Sequence, residues 1–171
     1  MTQVILVDQD DREVGLADKL EAHRTGMLHR AVSVFAFDAT GRLLLQRRAE
    51  GKYHSGGLWS NSACTHPTPG ESPEAAAHRC LHGEMGVRAE LEKAFTFTYR
   101  SPVVPDLIEH ELDHVFIGTY SGVPRPAPDE VSEWRLDHLD SVVAATRGNG
   151  EGWTPWCVLL AEPVSLFLRK R

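Results

Sequence analysis

The sequence predicts a mixed α/β or α+β fold in a single domain over residues 1–171. A chain of 171 residues suits one compact domain with a substantial core. Its apolar fraction of 42% and charged fraction of 25% are ordinary for a globular protein. Short apolar runs that predict strands lie before and after a helix with clear capping residues, and helical patterns follow near the C-terminus. This order favours a mixed β-sheet flanked by helices.

The first part of the chain is predicted to be mostly strand. The apolar run at 4–8 predicts a short strand, which a turn and a polar stretch follow. Two apolar runs at 31–38 and 41–48 have a short polar connection, a pattern typical of a β-hairpin. We expect a glycine-rich loop at 51–57, and residues 58–67 lead through a strand into a turn.

The clearest helix prediction covers 73–85. Ser72 suits the N-cap, Pro73 the first helical position, and Gly86 the position after the last turn. Period-two and helical patterns place the remaining elements. Strands are expected at 95–100, 110–120 and 131–136, and helices at about 137–146 and at 155–169.

Charge and composition argue against several classes of protein. The net charge is −6 and no basic stripe is present, so no nucleic-acid partner is expected, although a few local cations could bind a small anion. No apolar run approaches the roughly 18 residues that a membrane helix needs, and no secretory signal opens the chain. The 3 cysteines are scattered, which indicates a reduced, cytoplasmic protein without a membrane partner.

Three groups of residues could carry chemistry: His23 with His29, Cys64 with His66, and Glu109 with Glu111. Because side chains alternate along a strand, Glu109, Glu111 and Asp113 are predicted to share one face. A cation would remove the repulsion between these carboxylates. Three imidazoles and two carboxylates suit zinc, manganese or iron. A solvated edge strand is the alternative explanation for the acidic residues.

The helix at 71–86 carries residues at the offsets of a degenerate Nudix box, whose carboxylates bind Mg²⁺ that bridges to a diphosphate. Cys80 and Gly83 stand where two acidic residues are expected, and a hydrolase needs those carboxylates. The remaining acid, Glu84, could hold one Mg²⁺ on a diphosphate without hydrolysis. Four basic residues could bind that diphosphate: Lys19, Arg47, Arg48 and Lys52. The alternative is that they are ordinary solvated charges.

An ordered set of short motifs resembles the type 1 isopentenyl-diphosphate isomerases from about Val4 to about Leu168. The motifs are K-x-x-x-H at 19–23, LHRA at 28–31, RR-x-x-x-K at 47–52, NSACTHP at 61–67, E-x-E at 109–111 and TPW at 154–156. The resemblance implies a Nudix-like fold. It also implies conversion of isopentenyl diphosphate to dimethylallyl diphosphate in isoprenoid biosynthesis.

The resemblance further implies roles for the matching positions. Cys64 and Glu111 would be the catalytic pair, with Tyr99 beside the acid. One divalent ion (Mn, Zn or Mg) would be bound by His23, His29, His66, Glu109 and Glu111. A Mg²⁺ ion would accompany the diphosphate at Glu84. The substrate contacts would be Lys19, Arg48, Lys52 and Trp156.

The implied chemistry needs an acid and a base on opposite faces of an alkene, and a dry pocket between them. We expect Glu111 to deliver the proton and Cys64, as a thiolate, to remove one, although the order could be reversed. Trp156 would stabilise the carbocation. The alternative for Cys64 is an inert buried thiol. The competing functions are a Nudix hydrolase of a nucleoside or prenyl diphosphate and a non-catalytic diphosphate-binding module.

Overall fold

The structure, a computed structural model, describes residues 2–103 and 106–171 and has a mixed β-sheet with helices packed against it. The strands are β1 (Gln3–Val7), β2 (Glu13–Asp18), β3 (His29–Phe37), β4 (Leu43–Arg48), β5 (Trp59–Ser60), β6 (Ala63–Thr65), β7 (Arg88–Val103), β8 (Leu107–Ser121) and β9 (Val131–Asp137). The helices are α1 (Lys19–Thr25), α2 (Pro73–Met85), α3 (Leu139–Thr146) and α4 (Pro155–Arg169).

Strand β3 is central because it pairs on both sides with strands that carry predicted site residues. It runs parallel to β8 from His29, opposite Glu111, to the end of the strand. It runs antiparallel to β6, where Ser33 lies opposite Cys64. The long pair β7–β8 is antiparallel and places Tyr99 directly opposite Glu111. The sheet register therefore gathers residues that are far apart in sequence.

Two apolar cores lie on opposite faces of β3, because successive side chains of a strand point to opposite faces. Val32 and Val34 pack into the first core with Leu81 and Met85 of α2. Phe35 packs into the second core with residues of α3 and α4. Helix α2 therefore covers one face of the sheet, and α3 and α4 cover the other.

The predicted helices at 73–85 and 155–169 are confirmed, because α2 and α4 occupy those residues. Ser72 Oγ accepts a hydrogen bond from Ala75 N at 3.1 Å, and Gly86 has φ of 68°. Both are the capping roles expected of them. The predicted strands are present, although β7 and β8 extend beyond the predicted ranges. No helix in the described ranges is long and apolar enough to cross a membrane. The single domain stays a prediction.

Two features of the first part of the chain differ from what the sequence predicts. The turn and polar stretch predicted after the first strand contain β2 and α1, which were not predicted. The expected hairpin of 31–38 with 41–48 has a tight turn, but β3 and β4 pair only at Phe37 and Leu43. The two strands diverge after that position because β6 and β8 pair with β3, whereas β5 and β9 pair with β4.

Candidate active site

A cavity of about 390 Å³ is lined by most of the residues that the sequence singled out. These lining residues are Lys19, Arg48, Lys52, Cys64, His66, Glu84, Glu109, Glu111 and Trp156. The other predicted residues, His23, His29 and Tyr99, lie behind this lining and contact it. The structure therefore brings these residues to one place. Arg47, the remaining candidate cation, does not line the cavity, and its side chain contacts the Gly57 carbonyl oxygen and Glu133 instead.

Three imidazoles and one carboxylate converge at the inner end of the cavity. The donor atoms of His23, His29, His66 and Glu111 all lie within 4.8 Å of one another. That span suits ligands around one ion at distances of about 2.0–2.2 Å. His23 and His29 are fully buried, which is unusual for imidazoles without a strong partner.

Local backbone contacts fix the orientation of two of these imidazoles. His23 Nδ1 donates to the carbonyl oxygen of Lys19 at 2.7 Å, one turn earlier in α1. His29 Nδ1 donates to the carbonyl oxygen of Met27 at 2.8 Å. Because a carbonyl only accepts, each Nδ1 carries the proton and each Nε2 presents a lone pair. This arrangement is typical of histidine ligands to metals.

Glu111 is the most strongly bonded carboxylate of the site. Its Oε1 lies 2.9 Å from His66 Nε2, and its Oε2 accepts from the Tyr99 hydroxyl at 2.7 Å. Burial would raise the pKa of Glu111, but the close imidazoles of His29 and His66 outweigh it and hold the pKa well below its ordinary value. Burial lowers the pKa of His66 to about 3, so this imidazole is neutral.

Glu109 occupies a position between the predicted metal ligands and a further histidine. Its donor atom groups with those of His54 and of one predicted ligand, His23, and is not in the group that His23 forms with His29, His66 and Glu111. His54 Nε2 lies 3.5 Å from Glu109 Oε1, and both side chains are buried. Burial, and then the charge of Glu111, raise the pKa of Glu109 well above its ordinary value. The pKa values of the two glutamates are therefore shifted in opposite directions although the residues share one strand face.

Cys64 faces a buried cation. Arg48 Nη1 lies 3.9 Å from Cys64 Sγ, and the Arg48 guanidinium is 5.1 Å from the centre of the Trp156 ring. Burial raises the pKa of the Cys64 thiol above its ordinary value, and the opposing effect of Arg48 is smaller. The chain's own residues thus favour a thiol, whereas the sequence-based expectation was a thiolate.

Cations and one carboxyl group define the outer part of the cavity. Arg48 Nε is buried and has no hydrogen-bond partner among the described residues, so it is available to an anion. Lys52 forms an ion pair with Glu130. Glu84 Oε2 accepts from Gln46 Nε2 at 2.7 Å, and burial raises the pKa of Glu84 to about 7. Lys19 lies farther in, 5.0 Å from the centre of the Tyr53 ring.

Trp156 is held rigidly in the wall of the cavity. Its indole Nε1 donates to Ser60 Oγ at 2.9 Å, and the same hydroxyl contacts Thr154 Oγ1 at 3.0 Å. Pro155 begins α4 and Trp156 follows it, so the first turn of the helix sets the position of the ring. The buried indole leaves an aromatic surface on the cavity.

Sequence reasoning missed two residues at the inner end of the cavity. Tyr53 and His54 lie in the glycine-rich loop and line the cavity. From the sequence, only the basic residues in and beside this loop were predicted to bind a ligand. The Tyr53 hydroxyl is 3.4 Å from His23 Nε2. The signal was an aromatic residue and a histidine directly after Lys52, but a single histidine carries little weight in a chain with 9.

The sequence is similar to characterised families over most of its length. A family described as NUDIX domain matches residues 27–157. "Isopentenyl-diphosphate Delta-isomerase 2" of Aromatoleum aromaticum is 53% identical, over 95% of this chain and 86% of that protein. "Isopentenyl-diphosphate Delta-isomerase" of Serratia proteamaculans is 50% identical, over 93% of this chain and 89% of that protein.

Solved structures support the same fold. The protein DR0079 from Deinococcus radiodurans superposes with a TM-score of 0.78 at 21% identity, over 94% of this chain and 98% of that one. A MutT protein from Methanosarcina mazei superposes with a TM-score of 0.66 at 18% identity, over 84% of this chain and 94% of that one. At these identities the likeness concerns the fold alone, and it confirms the predicted Nudix-like mixed sheet.

Proposed function

The chain belongs to the NUDIX domain family and to the isopentenyl-diphosphate Delta-isomerases, and we propose that its cavity converts isopentenyl diphosphate to dimethylallyl diphosphate, a step of isoprenoid biosynthesis. The observation that carries the proposal is the placement of Cys64 and Glu111 in the lining of one cavity beside the ring of Trp156. A thiol, a carboxyl group and an aromatic surface are what this proton transfer needs.

The reaction adds one proton to the terminal =CH₂ carbon and removes one from the allylic CH₂ group. Positive charge develops on the tertiary carbon between these two positions, and the double bond moves by one place. We assign the two proton transfers to Cys64 and Glu111. Since the reverse reaction passes through the same transition state, each residue gives a proton in one direction and takes it in the other.

Tyr99 and Trp156 support these transfers in different ways. The Tyr99 hydroxyl donates to Glu111 and can stabilise either charge state of the pair. The Trp156 ring offers its negative face to the carbocation, an attraction of about 0.5–2 kcal/mol. The raised pKa of Cys64 and the lowered pKa of Glu111 favour a resting enzyme in which Cys64 is protonated and Glu111 is ionised. Cys64 would then donate the proton and Glu111 would accept one, the reverse of the order expected from sequence. Both orders use the same two residues.

A divalent ion fits the inner end of the cavity. The proposed ligands are the three imidazoles with their grouped donor atoms and the two carboxylates: His23, His29, His66, Glu109 and Glu111. Manganese, zinc or magnesium are the candidate ions. When bound, such an ion supplies positive charge that stabilises buried carboxylates and strengthens the acidity of groups attached to it. The chain's own residues would hold Glu111 as a ligand of such an ion, while the Tyr99 hydroxyl donates to Glu111 Oε2.

The outer part of the cavity is proposed to bind the diphosphate. Arg48 brings a buried guanidinium with an unpartnered Nε, and guanidinium groups match phosphate oxygens well. Lys52 and Lys19 add positive charge on the same cavity. Glu84 is the proposed contact for a Mg²⁺ ion that accompanies the diphosphate, and that ion would favour the ionised form of a carboxyl group whose pKa is about 7.

Deuterium incorporation tests the proposed function. The protein is supplied with Mn²⁺ and Mg²⁺ in heavy water and given isopentenyl diphosphate, and the product is examined by NMR. We expect deuterium in a methyl group of dimethylallyl diphosphate, and a loss of about 10²–10⁴-fold in rate for Cys64→Ala. Cys157→Ala, which removes a buried thiol away from the cavity lining, is the control and should keep the rate. An inert wild type, or an active Cys64→Ala, contradicts the assignment.

The same reaction separates the isomerase from a Nudix hydrolase. Cys80 and Gly83 line the cavity where a hydrolase would need acidic residues, so we expect no release of phosphate or diphosphate. Phosphate release from a prenyl or nucleoside diphosphate by the wild type would favour the hydrolase instead. A small-molecule diphosphate is thus the proposed partner. One domain, a cytoplasmic location and the absence of nucleic-acid and membrane partners stay predictions.

A further inference from the structure

We propose that His54, in the glycine-rich loop, is a positioning residue that holds the carboxylate of Glu109 toward the metal site. The inference rests on the proposed metal site. It adds a residue that is neither in the predicted ligand set nor among the proposed substrate contacts. It also assigns a second role to the loop that carries Lys52.

The geometry places His54 where it can act on Glu109. His54 Nε2 is 3.5 Å from Glu109 Oε1, and the two side chains are 6% and 3% exposed. Glu109 Oε2 lies 3.3 Å from the Tyr99 hydroxyl, but that hydroxyl has one proton and lies closer to Glu111, at 2.7 Å. His54 Nε2 is therefore close enough to act as a donor to the first oxygen of Glu109 when this nitrogen carries the proton.

The contacts of the imidazole ring favour an outer position over direct metal binding. His23 and His29 each have Nδ1 on a carbonyl oxygen, which leaves a lone pair on Nε2. His54 Nδ1 instead lies 3.2 Å from the Ser55 hydroxyl, which can donate to it. With Nδ1 as the acceptor, Nε2 carries the proton and points at a carboxylate. Outer-shell groups of this kind orient ligands and contribute to metal affinity.

The loop around His54 is held in one conformation. The His54 carbonyl oxygen accepts from Arg48 Nη2 at 3.4 Å, and the imidazole lies edge-on to Trp156, with 5.9 Å between ring centres. Ser55 has φ of 53°, a left-handed conformation that is uncommon outside glycine. A side chain at Gly56 would approach the Glu50 carbonyl oxygen to 2.6 Å. His54 is therefore placed by its backbone.

The same loop reaches both ends of the cavity. Lys52 and His54 are separated by one residue, and Arg48 contacts the His54 carbonyl while its own Nε remains open to an anion. The loop therefore carries groups at both the proposed metal end and the proposed diphosphate end of the cavity.

Metal affinity provides a test that does not depend on catalysis. Mn²⁺ is titrated into EDTA-treated and desalted protein, and the free ion is counted from its EPR signal. We expect His54→Ala to weaken Mn²⁺ binding by about tenfold to a hundredfold. His54→Gln, whose amide can still donate to Glu109, should recover most of the affinity. The exposed His78→Ala is the matched control and should bind as the wild type does.

A double-variant comparison separates positioning from a general structural effect. In a Glu109→Ala background, His54→Ala should change Mn²⁺ affinity by less than about twofold, because a residue that acts through the Glu109 side chain has nothing left to orient. An unchanged tenfold effect in that background overturns the proposal. So does a His54→Ala variant that binds Mn²⁺ like His78→Ala. Circular dichroism identifies any variant that fails to fold, and His54→Gln then carries the comparison.

Two further readouts separate this proposal from the metal site on which it rests. Pulsed EPR of bound Mn²⁺ counts nitrogen ligands, and the count should be the same with and without His54. A count that falls in His54→Ala would make His54 a direct ligand and overturn its positioning role. His29→Ala should lose Mn²⁺ binding. If it binds like the wild type, the metal site itself fails and this proposal with it.

Discussion

Tyr99 lies directly across the sheet from Glu111 and donates to its Oε2 at 2.7 Å. Both groups are buried, and a hydrogen bond to a charged group contributes about 1.5–3 kcal/mol. Tyr99→Phe removes this donor and leaves the ring in place. If the bond strengthens as Glu111 changes charge, the isomerisation rate should fall by about tenfold to a hundredfold.

The control for this prediction is Tyr120→Phe, which removes a hydroxyl from a buried tyrosine in the other core. The measurements are kcat and KM for isopentenyl diphosphate, with Mn²⁺ affinity determined in parallel. We expect a lower kcat with a nearly unchanged KM for Tyr99→Phe, because the hydroxyl contacts Glu111 rather than the diphosphate. Equal rates in the two variants would remove Tyr99 from the proton-transfer machinery.

Asp113 is a second buried carboxyl group on the same strand face, two residues beyond Glu111. Its Oδ2 accepts from Ser33 Oγ at 2.6 Å, whereas its Oδ1 has no partner among the described residues. Burial, and then the charge of Glu111, raise the pKa of Asp113 to about 8. The folded protein therefore holds a proton here at a pH where the unfolded chain has released it.

The sign of this linkage predicts how stability changes with pH. Because the pKa of Asp113 is raised on folding, its contribution is fully present below the unfolded pKa of about 4 and is lost as the pH rises toward 8. In EDTA-treated protein, the free energy of unfolding should fall more steeply between pH 5 and 8 for the wild type than for Asp113→Asn. The difference should reach at most about 1.4 kcal/mol per pH unit.

Urea unfolding of the two proteins across this pH range provides the measurement. The exposed Asp129→Asn serves as the control and should follow the wild type. Parallel curves for the wild type and Asp113→Asn would show that Asp113 is ionised in the folded protein. Its unpartnered oxygen would then require a cation nearby.

At the scale of elements, the short helix α1 supplies both Lys19 and His23. Lys19 and His23 are separated by about one helical turn, so their side chains lie on the same face of α1. Its first turn depends on Asp18, whose Oδ1 accepts from Leu20 N at 3.0 Å and from Glu21 N at 3.3 Å. A helix of this length has little stability of its own, so the cap matters more than it would in a long helix.

Removal of the cap by Asp18→Ala should therefore affect both stability and metal binding. We expect a loss of about 0.5–2 kcal/mol in the free energy of unfolding and a weaker affinity for Mn²⁺. Ser72→Ala removes the equivalent cap of α2 and should cost a similar amount of stability while Mn²⁺ affinity is kept. The two are compared by chemical denaturation and Mn²⁺ titration. A loss of metal affinity in both variants would indicate general destabilisation.

The elements differ in how far the sequence could predict them. Helix α2 was predicted with its bounds because Ser72, Pro73 and Gly86 mark its ends. Helix α1 was missed although Asp18 and Gly26 cap it, because it is short and lies in a polar stretch. The divergence of β3 from β4 could not be predicted locally, since it depends on the pairing of β3 with strands far away in the chain.

At the scale of the whole molecule, the candidate site is an assembly of separate segments. His23 comes from α1, His29 from the start of β3, His66 from the position directly after β6, and Glu111 from β8. No local pattern predicts that they meet, and the resemblance of ordered motifs was what placed them in one site. His54 belongs to none of those motifs, and its contact with Glu109 exists only in the folded chain, so the sequence did not reveal it.

A site assembled in this way predicts that a bound ion stabilises the entire fold. The ion joins segments that are separate in the unfolded chain, so it binds the folded form preferentially. At a free ion concentration of 100 Kd, the free energy of unfolding should rise by about 2.7 kcal/mol. For a chain of this size, that corresponds to an increase of about 5–11 °C in Tm. His29→Ala should abolish the increase, whereas His78→Ala should keep it. The difference is measured by thermal unfolding of each protein with Mn²⁺ and with EDTA. If the wild type has the same Tm under the two conditions, a metal site that joins these segments is contradicted.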